Sequence, residues 1–191
     1  MKYSIDWLKE QITKGTEVKY YFFWGHTPKI PGATDKSCLS QWFSAAFTVE
    51  GIVYQTAEHW MMAEKARLFK DSAALAEILK TPKPGTAKAL GRTVRNFDKS
   101  VWDAKAYHIV VEGNVHKFSQ HEAMKNFLMT TGNTIIVEAS PRDCIWGIGL
   151  GQDNAKAQNP HTWRGKNMLG FALMEARDKL LEDGKTIKTH K

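Results

Sequence analysis

An acid and a base interrupt what otherwise reads as an apolar helix face. In TAEHWMMAEKARLF, residues 56–69, Glu58, Met61, Met62, Lys65 and Phe69 fall together at 100° per residue. Glu58 and Lys65 are nearly in line and about 10 Å apart along such a helix. A buried charge is costly unless it finds a partner. The pair therefore reads either as side chains snorkelling to solvent or as the floor of a cleft that faces a ligand. Asp143 follows the β-rich run TIIVE (134–138) and precedes Ile145-Trp146-Gly147 in a glycine-rich loop. That place suits a catalytic carboxylate and equally a turn residue. Two carboxylates and a desolvated amine supply general acid–base and nucleophilic chemistry.

Trp24, Trp102 and Trp146 adjoin glycines or charges, where indoles either stack on a polar aromatic ligand or fill a core. Lys88, Arg92, Arg95 and Arg142 are the cationic pool from which an anionic ligand would draw its partners. Gly147, Gly149 and Gly151 form a GxGxG string, which lacks the spacing of the dinucleotide fingerprint, and no Walker loop is present. Alternate glycines either bring backbone N–H groups to a phosphate or make a tight turn around Trp146. Asn114 and Asn167 read as helix-terminal hydrogen-bonding residues. The histidines show no HExxH or other ligand spacing, so neither a metal nor a cofactor is expected. With no GxSxG elbow, and with Cys38 and Cys144 outside any nucleophile motif, acyl transfer is not expected.

These side chains need elements to hold them. Residues 4–13 read as a short amphipathic helix, Tyr20–Trp24 as a buried strand, and Ala46–Tyr54 as a hairpin turning at Glu50-Gly51. Thr56 caps a helix to about Phe69, Asp71 caps SAALAEILK, Gly85–Val94 is a third helix, and Asp98 caps a fourth to about Phe118. Ser119–Met129 is a fifth helix, Thr134–Glu138 a strand, and 141–167 an irregular loop long enough to be functional. A last helix spans about Met168–Leu181, with Leu169, Leu173, Ala176 and Leu180 on its stripe. The fold class is mainly α, an α+β domain with a small sheet. Residues 1–19 form a helical extension, 20–183 the main domain, and 184–191 a basic tail.

Composition narrows the function. At 191 residues, 42% apolar and 25% charged, the chain is expected to be one globular domain. No apolar run approaches the roughly 20 residues that span a bilayer, and the charged N-terminus does not read as a secretory signal. Two cysteines exclude a disulfide scaffold or a thiolate zinc site and fit a reducing cytoplasm. The net charge is +7, of which Lys185, Lys188 and Lys191 supply three, leaving +4 on the rest. That modest excess suits a small phosphorylated ligand better than nucleic acid.

The same residues carry a family resemblance. YFFWG, LSQWF, YQTAEHWMMAEKARLF, GRTVRNFD, EGNVHKFSQ, IVEASPRDCIWGIGL and WRGKNMLGFALMEAR occur in the order seen in the NADAR family, which includes bacterial N-glycosidases acting on riboflavin-pathway intermediates. The chain resembles that family from about Tyr21 to Leu180. The resemblance implies a mainly helical hydrolase of C1′–N glycosidic bonds, acting on ribosylamino-pyrimidine 5′-phosphates and releasing ribose 5-phosphate and a free aminopyrimidine. It also admits removal of ADP-ribose from guanine in nucleic acid. A non-catalytic module that binds ADP-ribose is a third reading, from a different class. Glu58, Trp102 and Asp143 match the family's catalysis-associated positions, and Lys65 matches the lysine of its EK block. Two routes are open: Glu58 and Asp143 activate water and stabilise the cationic sugar, or Lys65 attacks C1′ and forms a Schiff base. Trp102, with Trp24 or Trp146, would stack on the base, and Gly147, Arg92, Arg142 and Asn167 complete the expected binding set.

Overall fold

In the computed structural model, which describes residues 1–188 and the side chains of 1–184, local capping rules set the element boundaries. Ser4 accepts from the Trp7 N–H and opens α1 (Ile5–Thr13), which buries Leu8. Strand β1 (Tyr20–Phe23) follows, then a 3-10 turn at Lys36–Leu39 that the sequence did not announce. Strands β2 (Phe47–Val49) and β3 (Ile52–Tyr54) form the hairpin, and their turn residues Glu50 and Gly51 both take positive φ, as a two-residue hairpin loop requires. Thr56 caps α2 (Ala57–Leu68) through its hydroxyl, and Asp71 caps α3 (Ser72–Lys80). Next come α4 (Pro84–Arg92) and α5 (Lys99–Ser119), the latter capped by Asp98. The chain ends with α6 (Glu122–Thr130), β4 (Ile135–Glu138) and α7 (Met168–Lys188).

Helix α2 is the hub. It packs on α3, α4 and α5, while α5 packs on α7, α7 on β4, and β4 on β1. The result is a mainly helical α+β domain with two two-stranded sheets. Strands β1 and β4 run parallel in the register Tyr20↔Ile135 to Phe23↔Glu138. Parallel strands finish at the same edge, so the segments after Phe23 and after Glu138 emerge side by side. No helix among the described residues is long and apolar enough to cross a membrane.

Several boundaries differ from the periodic reading. Within Tyr20–Trp24 only Phe23 is buried; Trp24 leaves the strand and is 60% exposed. Helix α4 opens on Pro84, whose missing N–H costs nothing in a first turn. Helix α5 runs through Ser119, so α6 starts three residues later than expected. Helix α7 continues past Leu181 to Lys188, since no proline follows Leu181 and Gly184 is accommodated inside the helix. The basic tail at 184–191 thus falls partly on that helix, and residues 189–191 lie outside the described part. Helix α2 has no simple apolar stripe: nine of its twelve residues are buried, because helices enclose it on three sides.

Candidate active site

The remaining side of α2 faces a cleft. Glu58, Met61, Met62 and Lys65 line it, so the face inferred from the 3.6-residue period is a cleft floor. Two lobes of about 380 and 410 Å³ share Ser40, Trp42, Lys88, Arg92, Glu138 and Asp143, and so form one continuous hollow. The first lobe adds Trp102, Ile145 and Trp146, and the second adds Trp24, His26, Ser140 and Arg142.

Glu58 sits in the first turn of α2, and its backbone N–H donates to the Gln41 carbonyl at 3.0 Å, tying the helix to the Ser40–Trp42 wall. Its carboxyl is held above the ordinary glutamate value, chiefly by burial and further by the Asp143 charge. Lys88, a hydrogen bond from the Trp42 side chain, and Arg92 oppose that rise. Asp143 is held by its own loop: one oxygen, Oδ1, accepts the N–H groups of Ile145 and Trp146, both at 2.8 Å. Its other oxygen takes no part in those two bonds.

Lys65 occupies the opposite end. Its Nζ donates to the Gly91 carbonyl at 2.7 Å and lies 4.2 Å from the centroid of the Phe97 ring and 5.4 Å from that of Trp102. Burial lowers its pKa from the usual lysine value. Gly91 makes this contact possible: a Cβ there would stand 2.0 Å from Met62 Sδ, so only glycine lets α4 approach α2 this closely.

Glu138 was not among the residues singled out from sequence, yet it lines both lobes. Burial, Asp143 and Glu58 together push its carboxyl up to about 8, against the pull of Lys88. Three carboxyl groups and two cations, Lys88 and Arg92, therefore share one end of the cleft. Trp42 was missed as well; its ring lies 5.6 Å from His26 and 5.8 Å from the Lys88 ammonium. The available signal for Glu138 was an acid ending an apolar strand, whereas LSQWF stood out only as one block of the family resemblance. The wall bearing Trp42 is fixed by fully buried Lys117, whose Nζ donates to the carbonyls of Cys38 at 2.6 Å and Ser40 at 2.8 Å. Asn114 does similar work, donating to Gln41 Oε1 at 3.0 Å.

Of the expected site residues, Glu58, Lys65, Asp143, Trp102, Trp146 and Arg92 come together in the first lobe, and Trp24 and Arg142 in the second. Gly147 and Asn167 line neither. A Cβ on Gly147 would sit 2.9 Å from the Glu138 carbonyl, so this glycine serves close packing of the loop on β4. Asn167 is fully buried; its Oδ1 accepts the Glu138 N–H at 3.0 Å and its Nδ2 donates to the Ile136 carbonyl at 2.9 Å. The GxGxG string is a tight turn, with the N–H groups of Ile148 and Gly149 committed to the Glu138 and Asp143 carbonyls. Arg95 leaves the cationic pool, since its guanidinium and N–H bind Asp71 at the head of α3.

Comparison with known proteins bears on the family and the fold. The NADAR domain model matches residues 22–181. An N-glycosidase of Acanthamoeba polyphaga mimivirus is 43% identical over 165 residues, covering 84% of this chain and 95% of that protein. The N-glycosidase YbiA of Escherichia coli is 30% identical over 132 residues, covering 69% of this chain and 74% of that protein. The NMR structure of Escherichia coli YbiA superposes with a TM-score of 0.69 at 25% identity, covering 86% of each chain.

Proposed function

The chain belongs to the NADAR domain family and is an enzyme that cleaves N-glycosyl bonds; on that premise we propose that it hydrolyses the C1′–N bond of ribosylamino-pyrimidine 5′-phosphates, the early riboflavin intermediates, in the cytoplasm. The products are ribose 5-phosphate and a free aminopyrimidine. Residues 20–183 form the catalytic unit and residues 1–19 a packing extension. The observation that carries this reading is the crowding of Glu58, Glu138 and Asp143 beside Lys88 and Arg92, under the indoles of Trp42, Trp102 and Trp146.

Breaking an N-glycoside builds positive charge at C1′ and negative charge on the leaving nitrogen. With C1′ at the acidic junction of the lobes, the base extends into the first lobe against Trp102 and Trp146. The phosphate then extends toward Lys88, Arg92 and Arg142 in the second. Asp143 stabilises the developing cation. Glu58, made a stronger base by its burial, accepts the proton of the attacking water. A second route needs the substrate seated the other way, with C1′ in the first lobe beside Lys65, whose pKa is lowered by burial: its amine attacks C1′, the leaving group departs, the ring opens to a Schiff base, and water hydrolyses it.

The test is release of ribose 5-phosphate from a ribosylamino-pyrimidine 5′-phosphate and, in parallel, of ADP-ribose from ADP-ribosylated guanine in DNA. Turnover of the first supports the proposal, whereas turnover of only the second replaces its substrate class. Glu58→Gln and Asp143→Asn are each expected to lose at least ~100-fold in rate, the scale of a lost acid–base group. A borohydride-trapped adduct on Lys65 would select the second route.

A further inference from the structure

The water-activating pair leaves the departing nitrogen without a proton, and the cleft holds an acid that neither route above uses. Glu138 closes strand β4, and its backbone is clamped on both sides. Its N–H donates to Asn167 Oδ1, and its carbonyl accepts the Ile148 N–H at 3.0 Å. That clamp fixes the side chain at the junction of the two lobes. The carboxyl oxygen Oε2 is sealed from solvent and has no hydrogen-bond partner among the described residues. No N–H steadies a negative charge there, and the facing carboxylates Glu58, from α2, and Asp143, from the loop, repel one. Of the facing cations, Lys88 from α4 is the one that favours ionisation; Arg92, Arg142 and His26 line the same hollow. A carboxyl so placed keeps its proton, and Glu138 lines both lobes, so that proton lies within the cleft a ligand would fill.

We propose that Glu138 is the general acid of the reaction, donating its proton to the leaving nitrogen as the C1′–N bond breaks. This rests on the N-glycosidase reading and adds a residue to it. The electron pair of the breaking bond goes to nitrogen, which takes the Glu138 proton. Water adds its oxygen to C1′ and gives a proton to Glu58; solvent exchange then returns Glu138 to its acid form and Glu58 to its carboxylate. The net change is one water consumed, with a sugar hydroxyl and an N–H formed.

The test pairs two leaving groups. Wild type and Glu138→Gln are assayed on the ribosylamino-pyrimidine 5′-phosphate and on 4-nitrophenyl β-ribofuranoside 5-phosphate, whose phenolate leaves without being protonated. The variant is expected to lose at least ~100-fold on the first and to stay within about tenfold of wild type on the second. The wild-type kcat/KM on the first should fall above a pH of about 8, a limb absent from the variant's profile. Equal losses on both substrates, or no loss on either, would overturn the role. If Glu138→Gln does not fold, the wild type decides: a flat profile above pH 8, or no protonated-carboxyl band in its infrared spectrum at neutral pH, refutes the proposal. Absence of turnover by wild type on both substrates would defeat the N-glycosidase reading itself, whereas turnover without the basic limb defeats only the acid.

Discussion

Asn167 offers a direct measure of how the loop is joined to the sheet. It is fully buried, takes φ of 53°, and spends its amide on the Glu138 N–H and the Ile136 carbonyl. Asn167→Gly preserves the left-handed backbone and removes both bonds. Each buried group left unpaired costs about 1–3 kcal/mol, so the pair costs about 4 kcal/mol. Asn167→Ala removes the same bonds and adds about 1–2 kcal/mol, because an alanine Cβ crowds the carbonyl at positive φ. For a chain of this size each kcal/mol moves Tm by about 2–4 °C, which puts the glycine variant roughly 8–16 °C below wild type and alanine lower still. Urea unfolding and thermal melts read both quantities. Kinetics measured well below the melting point should show kcat reduced through misplacement of Glu138, with KM little changed. A glycine variant within about 1 kcal/mol of wild type would refute the bonding argument. A KM rise with unchanged kcat would restore Asn167 as a substrate contact.

Further outcomes follow from the same geometry. The Glu138 carboxyl titrates at about 8 when folded and near the ordinary glutamate value when unfolded, so it stabilises the fold fully at low pH and progressively less as the pH rises through about 8. Lys117, lowered to about 7 by burial, acts in the opposite sense above that pH, so the quantity to measure is the Tm difference between wild type and Glu138→Gln across pH 5–9. The wild-type advantage should shrink as the pH rises; a pH-independent difference would contradict the raised carboxyl. Lys88→Met is expected to raise KM for the 5′-phosphorylated substrate about tenfold or more while leaving KM for the dephosphorylated nucleoside unchanged, as befits one charged hydrogen bond. Arg95→Ala should lower Tm, because Asp71 loses its guanidinium partner, and leave kcat/KM at the wild-type value; a change in KM would return Arg95 to the cationic pool.

Local rules carried much of the architecture. Thr56, Asp71 and Asp98 each cap the helix their type and place announced, and Glu50-Gly51 turns the hairpin. Glu58 and Lys65 share the cleft floor because seven residues make nearly two helical turns, a consequence of backbone geometry that needs no distant partner. What lies opposite them is another matter. Glu138 ends an ordinary β run, and its acidity is set first by burial, then by Asp143 across the loop and by Glu58, eighty positions earlier. Gly147 and Asn167 have the composition of a ligand-binding loop but turn inward to β4, and Arg95 is captured by Asp71. Helical period and capping are short-range properties of covalent geometry and adjacent hydrogen bonds, so residue order alone determines them. Burial, charge coupling and the competition of protein partners for a polar side chain exist only once β1, β4, α2 and α4 have converged, and they decide which of the polar residues face the substrate.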